Sequence, residues 1–102
     1  MTLPTLAEAA PTSIHLTQKN GYFEAQEVLT NLQSGEYEFV VSNASGKNVG
    51  FQIQKIEGGK TLVLGLLKVG ETKSFKTHLE NGDHRYRCPI NPTPWYEFGV
   101  GR

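Results

Sequence analysis

Apolar residues in this chain recur at every second position in short runs, not at the three-to-four spacing of an amphipathic helix. Ser13-Ile14-His15-Leu16-Thr17 alternates, with Ile14 and Leu16 on one face and His15 on the other. Glu36 to Ser42 is the clearest strand, with Tyr37, Phe39 and Val41 aligned. Val49 to Gln54 alternates again, and so do His84-Arg85-Tyr86-Arg87-Cys88 and Tyr96 to Val100. Between these runs stand turn residues. Gln18-Lys19-Asn20-Gly21 carries an Asn-Gly pair, which tolerates positive φ. Gln33-Ser34-Gly35, Asn43-Ala44-Ser45-Gly46, Glu57 to Lys60, Gly70-Glu71 and Glu80 to Asp83 also read as turns or loops. Tyr22 to Leu32 reads as extended or irregular, with room for a short helix. Thr61 to Val69 is an apolar run that suits either a buried strand or a helical turn. Seven or eight short strands spaced about ten residues apart predict an all-β sandwich or small barrel. Residues 1–11 read as a flexible lead-in and 12–102 as a single domain.

Composition narrows the function classes. The chain has 102 residues, enough for one core. Ten Lys+Arg balance ten Asp+Glu. Zero net charge argues against a general nucleic-acid binder, which needs a basic face to displace phosphate counterions. No apolar run reaches the ~18 residues that would span a bilayer, so no membrane insertion is expected. Met1 to Pro11 has neither a basic n-region nor an apolar h-region, so it does not read as a signal peptide. One Cys, three His and one Met, at position 1, leave no intrachain disulfide. Gly58-Gly59-Lys60-Thr61 mimics the end of a P-loop, but Gln54 stands where the earlier glycine is required. Asn43-Ala44-Ser45 is a glycosylation acceptor only in a eukaryotic secretory setting.

The informative stretch is Gly82 to Val100. A strand ends in Cys88, a loop follows with Pro89, Ile90, Asn91, Pro92, Thr93, Pro94 and Trp95, and a last strand returns. This resembles the C-terminal part of the cupredoxins, the blue-copper proteins. Gly35 to Asn43 is similar to their Gly-x-Tyr-x-Phe strand ending in Asn, and Val69-Gly70-Glu71-Thr72 to the turn into their penultimate hairpin. The resemblance covers roughly residues 12–101 and implies a Greek-key β-sandwich. It also implies a periplasmic or secreted location and a copper thiolate at Cys88.

The ligand pattern departs from the family. A type 1 copper site needs two imidazoles and one thiolate with a weak axial partner. Lys47 or Asn48 stands where the first imidazole belongs, Trp95 stands about where the second would fall, and no His follows Cys88. His84 and Cys88 share a strand face but lie about 13 Å apart at roughly 3.3 Å per residue, too far for one ion. His15 and His78 read as surface residues.

Cys88 therefore reads as a small buried hydrophobe. A metal thiolate or an interchain disulfide is its functional alternative. Trp95 reads either as a lid over the copper position or as an exposed loop tip that meets a partner. Arg85 and Arg87 alternate outward beside Tyr86, as a solvated face or an anionic-partner patch. Lys47 reads as a surface charge that could lower the thiol pKa if it lies near Cys88. No oxyanion-hole loop can be named, so no enzyme is expected. The sequence points to an extracytoplasmic cupredoxin-like module without a complete copper site or resident cofactor. It would act through a protein partner or self-association around Lys47, Arg85, Arg87, Trp95 and Tyr96. The alternative is a copper-binding, electron-transfer protein that uses Cys88 with an atypical ligand set or a second chain.

Overall fold

The computed structural model describes residues 10–90 and 93–101. Expectations on residues 1–9 (most of the lead-in and the terminal Met), on Asn91 and Pro92 and on Arg102 lie outside the described residues. Eight strands form two four-stranded sheets. They are β1 (Thr12–Lys19), β2 (Tyr22–Ala25), β3 (Gly35–Asn43), β4 (Val49–Lys55), β5 (Thr61–Leu67), β6 (Thr72–Leu79), β7 (Gly82–Arg87) and β8 (Tyr96–Val100). The first sheet has the order β2-β1-β3-β6 and the second β5-β4-β7-β8.

The alternating pattern sets which face each strand buries. Ile14 and Leu16, Tyr37, Phe39 and Val41, Phe51 and Ile53, His84 and Tyr86, and Phe98 and Val100 all turn into the space between the sheets. The β1–β2 hairpin turns at Asn20-Gly21, where Gly21 has φ +90°. The following loop carries the chain to the far end of the sandwich, so β3 enters parallel to β1. Leu32 in that loop bridges to Val100, and its carbonyl accepts Gly101 N–H at 2.7 Å. β3 crosses to the β4–β5 hairpin in the second sheet, and β6 returns to lie beside β3. That return is the Greek key.

Three details depart from the sequence reading. Thr61 to Leu67 is a strand, but an edge strand and not a buried one: Leu64 and Leu66 are exposed. A bulge in the β4–β5 register at Leu62 turns that residue toward the core instead. The strands after Gly70-Glu71 do not form a hairpin. β6 joins the first sheet, paired with β3, and β7 joins the second, paired with β4 and β8. Gln18 is not a turn residue. It continues the inward phase of Ile14 and Leu16 and is fully buried at the end of β1.

Asn43 ties the two sheets together at one end. Its backbone N–H donates to Glu71 O at 2.8 Å, and its carbonyl accepts Gly70 N–H at 3.1 Å. Its side-chain Nδ2 donates to Lys47 O, Lys68 O and Leu67 O at 2.7, 2.9 and 3.3 Å. Its Oδ1 accepts from Ser45 N and Oγ. Asn43→Ala strands these buried carbonyls without a donor and should cost about 2–4 kcal/mol. Urea unfolding should show a lower midpoint at unchanged slope. Ser45→Ala, which removes one hydroxyl, should cost under about 1 kcal/mol in the same assay.

Candidate functional site

The end of the sandwich held by Asn43 is also the end where β7 delivers Cys88. Alternation along β7 points His84, Tyr86 and Cys88 inward, and Cys88 is fully buried. Its Sγ accepts Gly50 N–H at 3.3 Å, and its own N–H donates to Thr93 Oγ1 at 3.1 Å. The Thr93 hydroxyl in turn donates to Pro94 O at 2.9 Å. These bonds staple both ends of the post-Cys88 loop to β4 and β7. Gly50 permits the approach, since a Cβ there would lie 3.2 Å from Gly65 O and 3.3 Å from Pro89 and Ile90 side chains. Gln18 shares this end, in register with Asn43. Among the described residues, neither atom of its buried side-chain amide has a hydrogen-bond partner.

The three histidines lie elsewhere. His15 sits on the outer side of β1, with Nδ1 2.7 Å from Glu27 Oε2. His78 on β6 makes the same contact with Glu36 Oε1 at 2.7 Å. His84 is fully buried at the opposite end of β7 from Cys88, stacked on Phe98 at 5.5 Å between centroids. Its Nδ1 is 3.2 Å from Gly82 O, and its Nε2 has no hydrogen-bond partner among the described residues. Among the described residues, no three His, Cys, Asp or Glu side chains gather as a metal-holding group. The buried side-chain polar groups described at the Cys88 end are one thiol, the Gln18 and Asn43 amides and the Thr93 hydroxyl, without an imidazole. That set does not fit a type 1 copper centre.

The remaining candidates separate by sheet face. Tyr96 turns inward. Its ring stacks on Tyr86 at 5.1 Å, and its hydroxyl accepts Phe23 N–H at 3.1 Å. It belongs to inter-sheet packing, which the Tyr96, Phe98, Val100 alternation already implied. Burial pushes the Tyr86 hydroxyl up to about 12, so it stays protonated at neutral pH. Lys47 is exposed, and its carbonyl is held by Asn43.

Trp95 is half-buried on the outer face of the second sheet. It is neither an interior lid nor an isolated loop tip, because guanidinium stacking holds it on that face. The Arg85 and Arg87 guanidinium carbons lie 4.0 and 4.1 Å from its ring centroid. Arg85 donates from Nε and Nη2 to Gln54 Oε1 at 3.2 and 3.0 Å, and Arg87 Nε donates to Gln52 Oε1 at 3.3 Å. Neither guanidinium forms an ion pair among the described residues, although Glu97 stands opposite Arg85 in the β7–β8 register. The result is a cationic cluster fixed by neutral acceptors and an aromatic face. Sequence reasoning found these three residues but missed Gln18, Thr93 and the two acceptor glutamines. Gln52 and Gln54 were visible only as outward positions of β4.

Trp95→Ala should cost about 1–2 kcal/mol in urea unfolding, because the ring loses stacked cations and partial burial, not a core position. A loss of about 3–5 kcal/mol would indicate a core role instead. The second expectation concerns His84. Burial pushes its pKa below the ordinary histidine value, against the opposing pull of the Gly82 carbonyl. The unfolded chain therefore takes up the proton first. The stability tied to neutral His84 is complete above about pH 6.5 and declines as pH falls below it. Unfolding midpoints measured between about pH 7.5 and 5.5 should drop with acidification, and His84→Phe should flatten that dependence.

No family model and no curated protein matches the chain. Among solved structures, it is similar to dithionite-reduced auracyanin from the photosynthetic bacterium Roseiflexus castenholzii. The two align with a TM-score of 0.66 at 13% identity, over 91% of this chain and 99% of that one. Auracyanin is a cupredoxin, and the likeness shows that this chain has a cupredoxin-like β-sandwich fold.

Proposed function

We propose that the chain is a cupredoxin-like module that works by protein contact and not through a blue-copper centre. The observation that carries this reading is the placement of the imidazoles. All three histidines of the sequence are among the described residues, and none stands beside Cys88. The scaffold around Cys88 is nevertheless well built, with Asn43, Gly50 and Thr93 fixing the loops. Loops fixed without an imidazole ligand set suit a surface that presents side chains to a partner. The outer face near Trp95 supports the same reading, since Trp and Arg are the side chains enriched at contact hot spots. Lys47 adds an exposed charge at the same end. In this reading the module works in the periplasm or as a secreted protein, in keeping with the fold it shares. The reading assigns it no enzymatic activity.

The competing reading is a copper-binding, electron-transfer protein that uses Cys88 with an atypical ligand set or a second chain. The buried thiol and the unpartnered Gln18 amide at one end are the observations in its favour. Copper(II) titration of the purified protein followed by visible absorption separates the two. The contact reading expects no intense thiolate-to-copper band and no stoichiometric copper after dialysis. A strong band that disappears in Cys88→Ser would overturn it.

A further inference from the structure

Edge strands of soluble proteins are ordinarily blunted by charge, proline or brevity. β5 is an edge of the second sheet and pairs only with β4 among the described residues. Its run Thr-Leu-Val-Leu-Gly-Leu-Leu contains no charge and no proline. Leu64 and Leu66 project from the outer face at 67% and 63% exposure. Ile90, itself 55% exposed, extends the apolar surface. It packs over Gly50, the β4 residue paired with Leu66. A groove of about 500 Å³ runs beside Leu66 between Val49, Ile90, Lys68 and Lys73.

The backbone at this edge faces away from β4 as well. The Leu66 carbonyl points off the sheet, where it accepts Lys73 Nζ at 2.8 Å. Leu64 has the same orientation through the two-residue period of the strand. Among the described residues, Lys73 guards the edge, and it comes from the other sheet.

Charge decides what this edge accepts. Lys60 and Lys68 stand at its two ends, and Lys73 lies along it. Across the face, Gln52 lies between Leu64 and Arg87 in register, and Gln54 pairs with Arg85. Glu71, 3.9 Å from Lys73 Nζ, is the carboxylate in ion-pair contact with this frame. A second copy of β5 would bring the same lysines onto one seam, and like charges facing across a strand pair are unfavourable.

The geometry points to β5 as a docking edge for an extended, acidic protein segment, added as a further strand of the second sheet. This rests on the contact reading above and names its partner. Alternate apolar side chains of the segment cover Leu64 and Leu66. Its backbone N–H takes the Leu66 carbonyl, and its carboxylates take Lys73, Lys60 and Lys68.

The test uses two N-acetylated peptides alternating valine and threonine, one ending in aspartates and the other in lysines. Amide chemical shifts and hydrogen exchange are followed on the whole protein. The acidic peptide should bind and slow exchange at Leu64 and Leu66, with the basic peptide at least about tenfold weaker. Leu66→Glu should abolish acidic-peptide binding with the unfolding midpoint unchanged. A Lys60→Glu, Lys68→Glu double variant should reverse the preference. Equal binding of both peptides, or none of either, overturns the proposal. So does concentration-dependent dimerisation in sedimentation that Leu66→Lys removes, because the occupant is then a second copy. Peptide failure without a blue-copper band defeats the docking edge alone, whereas such a band defeats the contact reading itself.

Discussion

A single amide side chain carries much of the order at the Cys88 end. Asn43 ends β3 in the first sheet, yet its Nδ2 serves carbonyls in the β3–β4 turn and in the β5–β6 crossing. The layers of a sandwich are held mainly by apolar contact, with only scattered side-chain hydrogen bonds between them, such as Tyr96 with Phe23 and Lys73 with Leu66. The loops at its ends carry polar backbone groups that water reaches poorly. Asn43 supplies donors and acceptors where the ladders stop. It thereby fixes the distance between the two sheets at that end. The Gly50 contact with Cys88 and the Thr93 staple form on a base already held in place.

On that base, the two faces of the second sheet have different chemistry. The inner face carries buried rings from Phe51, Tyr86 and Phe98 with the partly buried Tyr96 packed against them, and it encloses Cys88. The outer face carries guanidiniums, glutamines and leucines. Arg85 and Arg87 bond neutral glutamines and stack on Trp95, so their charge is positioned but not neutralised. A cation held in this way keeps most of its attraction for an outside carboxylate and gives up little side-chain entropy on meeting one. Chemistry that depends on metal redox needs converging donors. Recognition needs only fixed side chains on a rigid sheet, the basis of the contact function proposed above.

The legible parts were those governed by the period of two. The strands at residues 36–42, 49–54, 84–88 and 96–100, and the inward set on each, follow from alternation and turn residues. The outward placement of Arg85 and Arg87 follows from the same period. Thr61 to Leu67 was illegible because an edge strand and a buried strand can carry the same apolar letters. Only the number of neighbours distinguishes them. Gln18 was misread because turn chemistry at Asn20-Gly21 drew the boundary two residues early. The pairing of Trp95 with two arginines was out of reach, since it depends on the loop laying the ring back over β7.

The sequence by itself determined an all-β sandwich with its buried faces, and that all three histidines precede Cys88. Those are properties of local periodicity and of inventory, and both are written along the chain. The tertiary structure decided which strands became edges, which face Trp95 took, and that His84 is buried at the far end while His15 and His78 pair with glutamates. Each of these depends on which distant segment comes to lie alongside. In a Greek key, β6 returns across the sandwich to β3 while β7 settles beside β4, so neighbours in space are set by packing the two layers and not by neighbours in sequence.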